Sequence, residues 1–158
     1  MKMRLRYAIP VLFVFIISCT NESVDEIPIV EAENMVQLEG ALLTIVNDYR
    51  AGLGSNTLAF SEVAYKYANN HTDYMISKGS ISHDNFSSRA SSIHSEVTVE
   101  MVAENVAKDY RTAQEAFEGW HKSTSHKKTM EGDFTHTAVS IKEDDEGNFY
   151  FTQLFYKK

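Results

Sequence analysis

The chain has 158 residues, a net charge of -7 and 43% hydrophobic residues, a length that suits one domain with a real core. With no basic cluster larger than His126-Lys127-Lys128, the acidic balance does not suit a nucleic-acid partner, whose phosphates call for a basic surface. Cys19 is the one cysteine, so no disulfide forms within the chain.

The N-terminus carries Lys2, Arg4 and Arg6, then an apolar run from Tyr7 to Ile17, then Ser18 and Cys19. That order of basic, apolar and small residues predicts a secretory signal peptide over 1–18. The run is too short to cross a hydrocarbon core as a helix, and Pro10 weakens it further. Ile16-Ile17-Ser18-Cys19 resembles a bacterial lipobox, with Ile16 where leucine is usual. The resemblance implies acylation of Cys19, a membrane partner reached through that lipid, and an extracytoplasmic place in the bacterial cell envelope, at the outer membrane or cell surface. Residues 19–34 carry Glu22, Asp25, Glu26, Glu31 and Glu33 and read as an acidic, flexible tether. The folded domain is expected over 35–158, as a monomer. Three Asn-x-Ser/Thr matches, at Asn21, Asn70 and Asn85, carry no weight in a bacterial lipoprotein.

Leu38, Leu42, Ile45, Val46 and Tyr49 fall at helical spacing and stop before Gly52 and Gly54, which predicts a first helix. Thr57 to Phe60 is extended. Ser61 is placed to cap a second helix with Ala64, Tyr67, Ala68, His71 and Met75 near one face and Gly79 at its end. Ser80 to Glu96 is a serine-rich loop with room for a short helix near Ser87 to Ser92. Thr112-Ala113-Gln114-Glu115 is a capping box that opens a third helix through Ala116, Phe117 and Trp120, ending near Ser123. Thr137 to Ile141 and Phe149 to Tyr156, joined by Glu146-Gly147-Asn148, predict a closing β-hairpin. Helices first and strands last give an α+β class with helices packed on an antiparallel sheet.

Six segments in order resemble one family: Asn47 to Arg50, Ala64 to Met75, Ser82-His83-Asp84-Asn85, Ala103-Glu104-Asn105-Val106, Trp120 to His126, and Tyr150 to Phe155. They are similar to the bacterial secreted branch of the CAP superfamily, named for cysteine-rich secretory proteins, antigen 5 and pathogenesis-related proteins. The resemblance covers essentially all of 35–158. It implies an α-β-α sandwich, with an antiparallel sheet between helical layers and a polar cleft lined by two histidines and two acids. His83 matches the first histidine, Glu104 the acid of the Glu-Asn pair, and His126 the bacterial histidine, whose turn here has lost its proline and glycine. Ser123 stands where many eukaryotic members have the second acid. The late histidine of those members aligns with Thr135, one place from His136.

The cleft set expected is therefore His83, Glu104, Asn105, Ser123, His126 and His136. Two imidazoles and a carboxylate, His83, His126 and Glu104, have the chemistry of a divalent-metal site, with zinc the natural ion, although no cofactor is required. The alternative is a hydrogen-bonded polar cluster in which Glu104 holds the histidines. Ser123 and His126 at i and i+3 would meet if one helix ran through both, giving a candidate nucleophile and base, though no nucleophile elbow or oxyanion donor is recognisable. Asn105 is expected to bond backbone and hold its loop. Tyr67, Tyr74, Phe117 and Trp120 are expected in the core or the cleft wall, and His71 and His94 as partly exposed. The favoured reading is a noncatalytic binding module for a lipid, small molecule or protein; the alternative is an envelope hydrolase.

Overall fold

A computed structural model describes Ile29 and residues 31–158. The signal peptide, Cys19 and most of the tether lie outside the described residues. The elements run α1 (Val36–Gly52), β1 (Ala59–Phe60), α2 (Glu62–Lys78), α3 (Phe86–Glu96), β2 (Met101–Lys108), α4 (Ala113–Lys122), α5 (Thr124–Met130), β3 (His136–Glu143) and β4 (Phe149–Lys157).

Local chemistry sets the boundaries. The Ser61 hydroxyl accepts from the Ala64 amide at 3.1 Å, and Gly79 closes α2 in the left-handed conformation at φ 67°. The Thr112 capping box forms in both directions. Asn85, at φ 58°, turns the chain from the His83 loop into α3, a conformation asparagine tolerates better than most residues.

The sheet order is β1-β3-β4-β2. β3 and β4 form the expected hairpin, and β4 also pairs antiparallel with β2 along its whole length, from Met101 opposite Lys157 to Lys108 opposite Tyr150. The expected all-antiparallel sheet is corrected at one edge. β1 pairs parallel with β3, because the long connection between them returns the chain in the same direction.

Alternation along the strands sorts the two layers. Ala138, Leu154 and Tyr156 pack with Ala64 and Ala68 of α2 and Ile93 of α3. Val139, Ile141, Phe151 and Phe155 pack on the other face with Leu42 and Val46 of α1, Ala116 and Trp120 of α4, and Met130 of α5. This is the sandwich that the family resemblance implied. The end of the expected tether is sewn onto the domain: the Ala32 amide donates to Asp73 at 3.0 Å, and Asn34 bridges to Lys142 and donates to Asn69 at 2.7 Å. Beneath it, Lys142 and Asp73 form a buried ion pair at 2.7 Å. No helix among the described residues is long and apolar enough to cross a membrane.

Candidate functional site

The site is built on β2, an edge strand. Because side chains alternate along a strand, the adjacent residues Glu104 and Asn105 serve opposite faces. Glu104, opposite Leu154, faces α2 and α3. Asn105, opposite Gln153, faces α4 and α5.

On the first face the Glu104 carboxylate is almost fully enclosed, its side chain 2% exposed. Arg89 grips it with two hydrogen bonds, Nε donating to Oε2 at 2.9 Å and Nη2 to Oε1 at 2.9 Å. His83 Nδ1 donates to Oε1 at 2.8 Å. The His83 side chain is 54% exposed, so the carboxylate fixes one nitrogen and leaves Nε2 as the polar group for an incoming molecule. Arg89 also donates to the Asp84 carbonyl at 2.7 Å, tying α3 to the His83 loop.

His71 completes the floor, and the expectation that it is partly exposed is corrected: its side chain is 1% exposed. Nε2 donates to the Ser82 carbonyl at 2.7 Å and stands 3.7 Å from Glu104 Oε1. Burial pushes its pKa below the ordinary value of 6.5, against the smaller pull of Glu104. The ring is therefore neutral, with Nε2 protonated, and no ion pair with Glu104 forms. Its Nδ1 is buried with no partner among the described residues, a state that costs ~1–3 kcal/mol.

On the second face the Asn105 amide donates to the His126 carbonyl at 3.1 Å, so this side chain bonds backbone as expected and docks α5 against β2. His126 is half-buried, and its pKa is lowered by burial first and by the charge of His83 second.

Two expected members fall outside this arrangement. Ser123 does not share a helix with His126, because its extended backbone at ψ 121° ends α4 and begins α5. Its hydroxyl lies 3.2 Å from the Ser125 hydroxyl, and no bond to an imidazole forms. His136 lies on β3, two strands from β2, where it stacks on Tyr156 with ring centroids 4.8 Å apart and meets the Thr135 hydroxyl at 2.8 Å.

The residues do not fit the three-ligand metal site. Both Glu104 oxygens are committed to a guanidinium, whose positive charge opposes a cation at the same lone pairs. No three His, Cys, Asp or Glu side chains among the described residues are placed to share an ion. Arg89 is the residue that sequence reasoning missed. Its spacing from Glu104 gave no signal, and its serine-rich surroundings read as a loop.

The sequence matches the model of the cysteine-rich secretory protein family, CAP, over residues 43–155. Comparison with the curated proteins finds none that matches. Among solved structures, an outer surface protein from Borrelia burgdorferi superposes with a TM-score of 0.71 at 17% identity, covering 80% of this chain and 98% of that one. An extracellular protein containing a SCP domain from Bacillus anthracis gives 0.68 at 22% identity over 78% of this chain. A cysteine-rich secretory protein from Staphylococcus aureus gives 0.67 at 19% identity over 80%. The match takes in 41% and 40% of those two longer chains.

Proposed function

Since the chain belongs to the cysteine-rich secretory protein (CAP) family, we propose that it is a lipid-anchored, extracytoplasmic binding module of a bacterial envelope, with its cleft used for recognition rather than for bond cleavage. The observation that carries this reading is the closed cluster around Glu104. Arg89 neutralises the carboxylate, so Glu104 is not free to act as a base, and among the described residues no hydroxyl is hydrogen-bonded to the Nε2 that His83 leaves exposed. Ser123, the one candidate nucleophile, turns to Ser125 instead. What remains at the surface is the imidazole of His83, fixed through Nδ1, with the half-buried His126 on the other face of β2, suited to hydrogen bonding with a small molecule or a protein.

The extracytoplasmic part rests on the basic, apolar and Ser18-Cys19 layout of the N-terminus, and on neighbours described as outer surface and extracellular proteins. A serine-reactive fluorophosphonate tests the noncatalytic reading on the full chain. Ser123 is expected to remain unlabelled, and labelling that His126→Ala abolishes would restore the hydrolase. Lipid anchoring is tested separately, by palmitate incorporation in wild type and Cys19→Ser.

A further inference from the structure

Beside the His83–Glu104 cluster, α2 and α3 line an open groove of about 220 Å³, which His71 and Arg89 of that cluster help to wall. Its volume is below the ~300–1,000 Å³ of a drug-sized pocket, so it suits one small ring or a short oligomer.

Its walls are two tyrosines pinned in matching ways. Tyr67 donates to Glu96 at 2.6 Å, and Lys66 reaches the same carboxylate oxygen at 2.8 Å. Seven residues on, Tyr74 donates to Asp84 at 2.8 Å, and Lys78 meets that carboxylate at 2.6 Å. Both rings are thereby fixed before any ligand arrives.

Between the rings lie Asn70, Asn85, Ser88 and Ser92. Ser91 and Ser95 of the same helix return their hydroxyls to its carbonyls, at 2.9 and 2.7 Å. The hydroxyls of Ser88 and Ser92 and the carboxamides of Asn70 and Asn85 have no partner among the described residues. Two hydroxyls and two carboxamides therefore stand ready to donate or accept.

Charge and polarity narrow the ligand. Every ion along the groove has its counter-ion: Arg89 with Glu104, Lys66 with Glu96, Lys78 with Asp84. An anion finds no free cation there, and a cation no free carboxylate. No aliphatic side chain lines the cavity, so neither an acyl chain nor an apolar peptide side chain has a place. A pyranose has what the groove asks for, with C–H faces for the rings and neighbouring hydroxyls for the amides.

We propose that the groove between α2 and α3 binds a neutral saccharide. This rests on the reading of the protein as a binding module and gives that module a ligand class.

The test is saturation-transfer difference NMR on the full chain, in a detergent without a sugar head group. Probes are the methyl β-pyranosides of glucose and N-acetylglucosamine, with N-acetyl-dialanine amide as the peptide counterpart. Saturable transfer to a pyranoside is expected, weakened at least tenfold in Ser88→Ala/Ser92→Ala and in Tyr67→Ala. Ser88 is exposed and Ser92 half-buried, and Trp120 fluorescence verifies that the double variant keeps its fold. Ser91→Ala, whose hydroxyl returns to the Ser87 carbonyl of the same helix, is expected to bind sugar as wild type does. Absence of transfer to either sugar, transfer unchanged in the groove variants, or preference for the peptide would overturn the proposal.

Discussion

Replacing Arg89 by alanine removes both hydrogen bonds that hold Glu104 and leaves its carboxylate enclosed with only imidazoles beside it. Removing one partner of a buried ion pair costs ~3–5 kcal/mol, because the remaining charge stays desolvated. Arg89 is 10% exposed and Glu104 2%, so solvent screening relieves little of that cost. For a domain of this size the loss corresponds to a fall in Tm of about 10–20 °C. Trp120, the chain's one tryptophan, is 1% exposed in the core and reports unfolding in urea by fluorescence. Adding Glu104→Gln removes the stranded charge, so the double variant Arg89→Ala/Glu104→Gln is expected to recover at least ~1.5 kcal/mol relative to Arg89→Ala. If Arg89→Ala unfolds within ~1 kcal/mol of wild type, the pair is not the clamp described.

Lys142→Met strands Asp73 beneath the tether and is expected to cost ~3–5 kcal/mol, largely restored by adding Asp73→Asn; equal stability of single and double variants in urea would contradict this. Burial holds His71 and His126 below the ordinary imidazole value of 6.5. The unfolded chain takes up protons first on acidification, so their contribution is complete above about pH 6.5 and declines as pH falls toward the lowered values. Tm against pH should show that decline, with a shallower slope in His126→Asn; a Tm that climbs on acidification would argue against the burial assigned to both rings. Ser123→Ala, whose hydroxyl meets only Ser125, is expected to shift stability by no more than ~0.5 kcal/mol. Cys19→Ser is expected to abolish palmitate incorporation, and labelling that persists would place the lipid elsewhere.

Where sequence determines local chemistry, the fold was readable. Ser61, Gly79 and the Thr112 box end their helices as their chemistry requires, and the 137–141 and 149–156 runs alternate as a hairpin must. Other elements are defined by their neighbours. Ala103-Glu104-Asn105-Val106 has little intrinsic strand preference and becomes β2 through its pairing with β4. Thr124 to Met130 has no apolar stripe, Met130 being its one buried residue, so α5 carries no periodic signal.

The site divides in the same way. His83 meets Glu104 on one face of β2, while Asn105 meets the His126 carbonyl on the other. The Arg89–Glu104 grip spans a helix and a strand, and no local spacing encodes it. Ser123 was misplaced for a similar reason: the i, i+3 relation presumes one helix, and the chain breaks at that residue. His71 shares its helix face with Ala64 and Ala68, a pattern that did point to its burial.

Arg89 occupies both Glu104 oxygens, and no three His, Cys, Asp or Glu side chains among the described residues are placed to share an ion. A calorimetric zinc titration of the full chain, beside His83→Ala and His126→Ala, tests that most directly. No stoichiometric heat is predicted for folded wild type, whereas one-to-one binding lost in both variants would show that Glu104 releases Arg89 and the cleft is a metal centre.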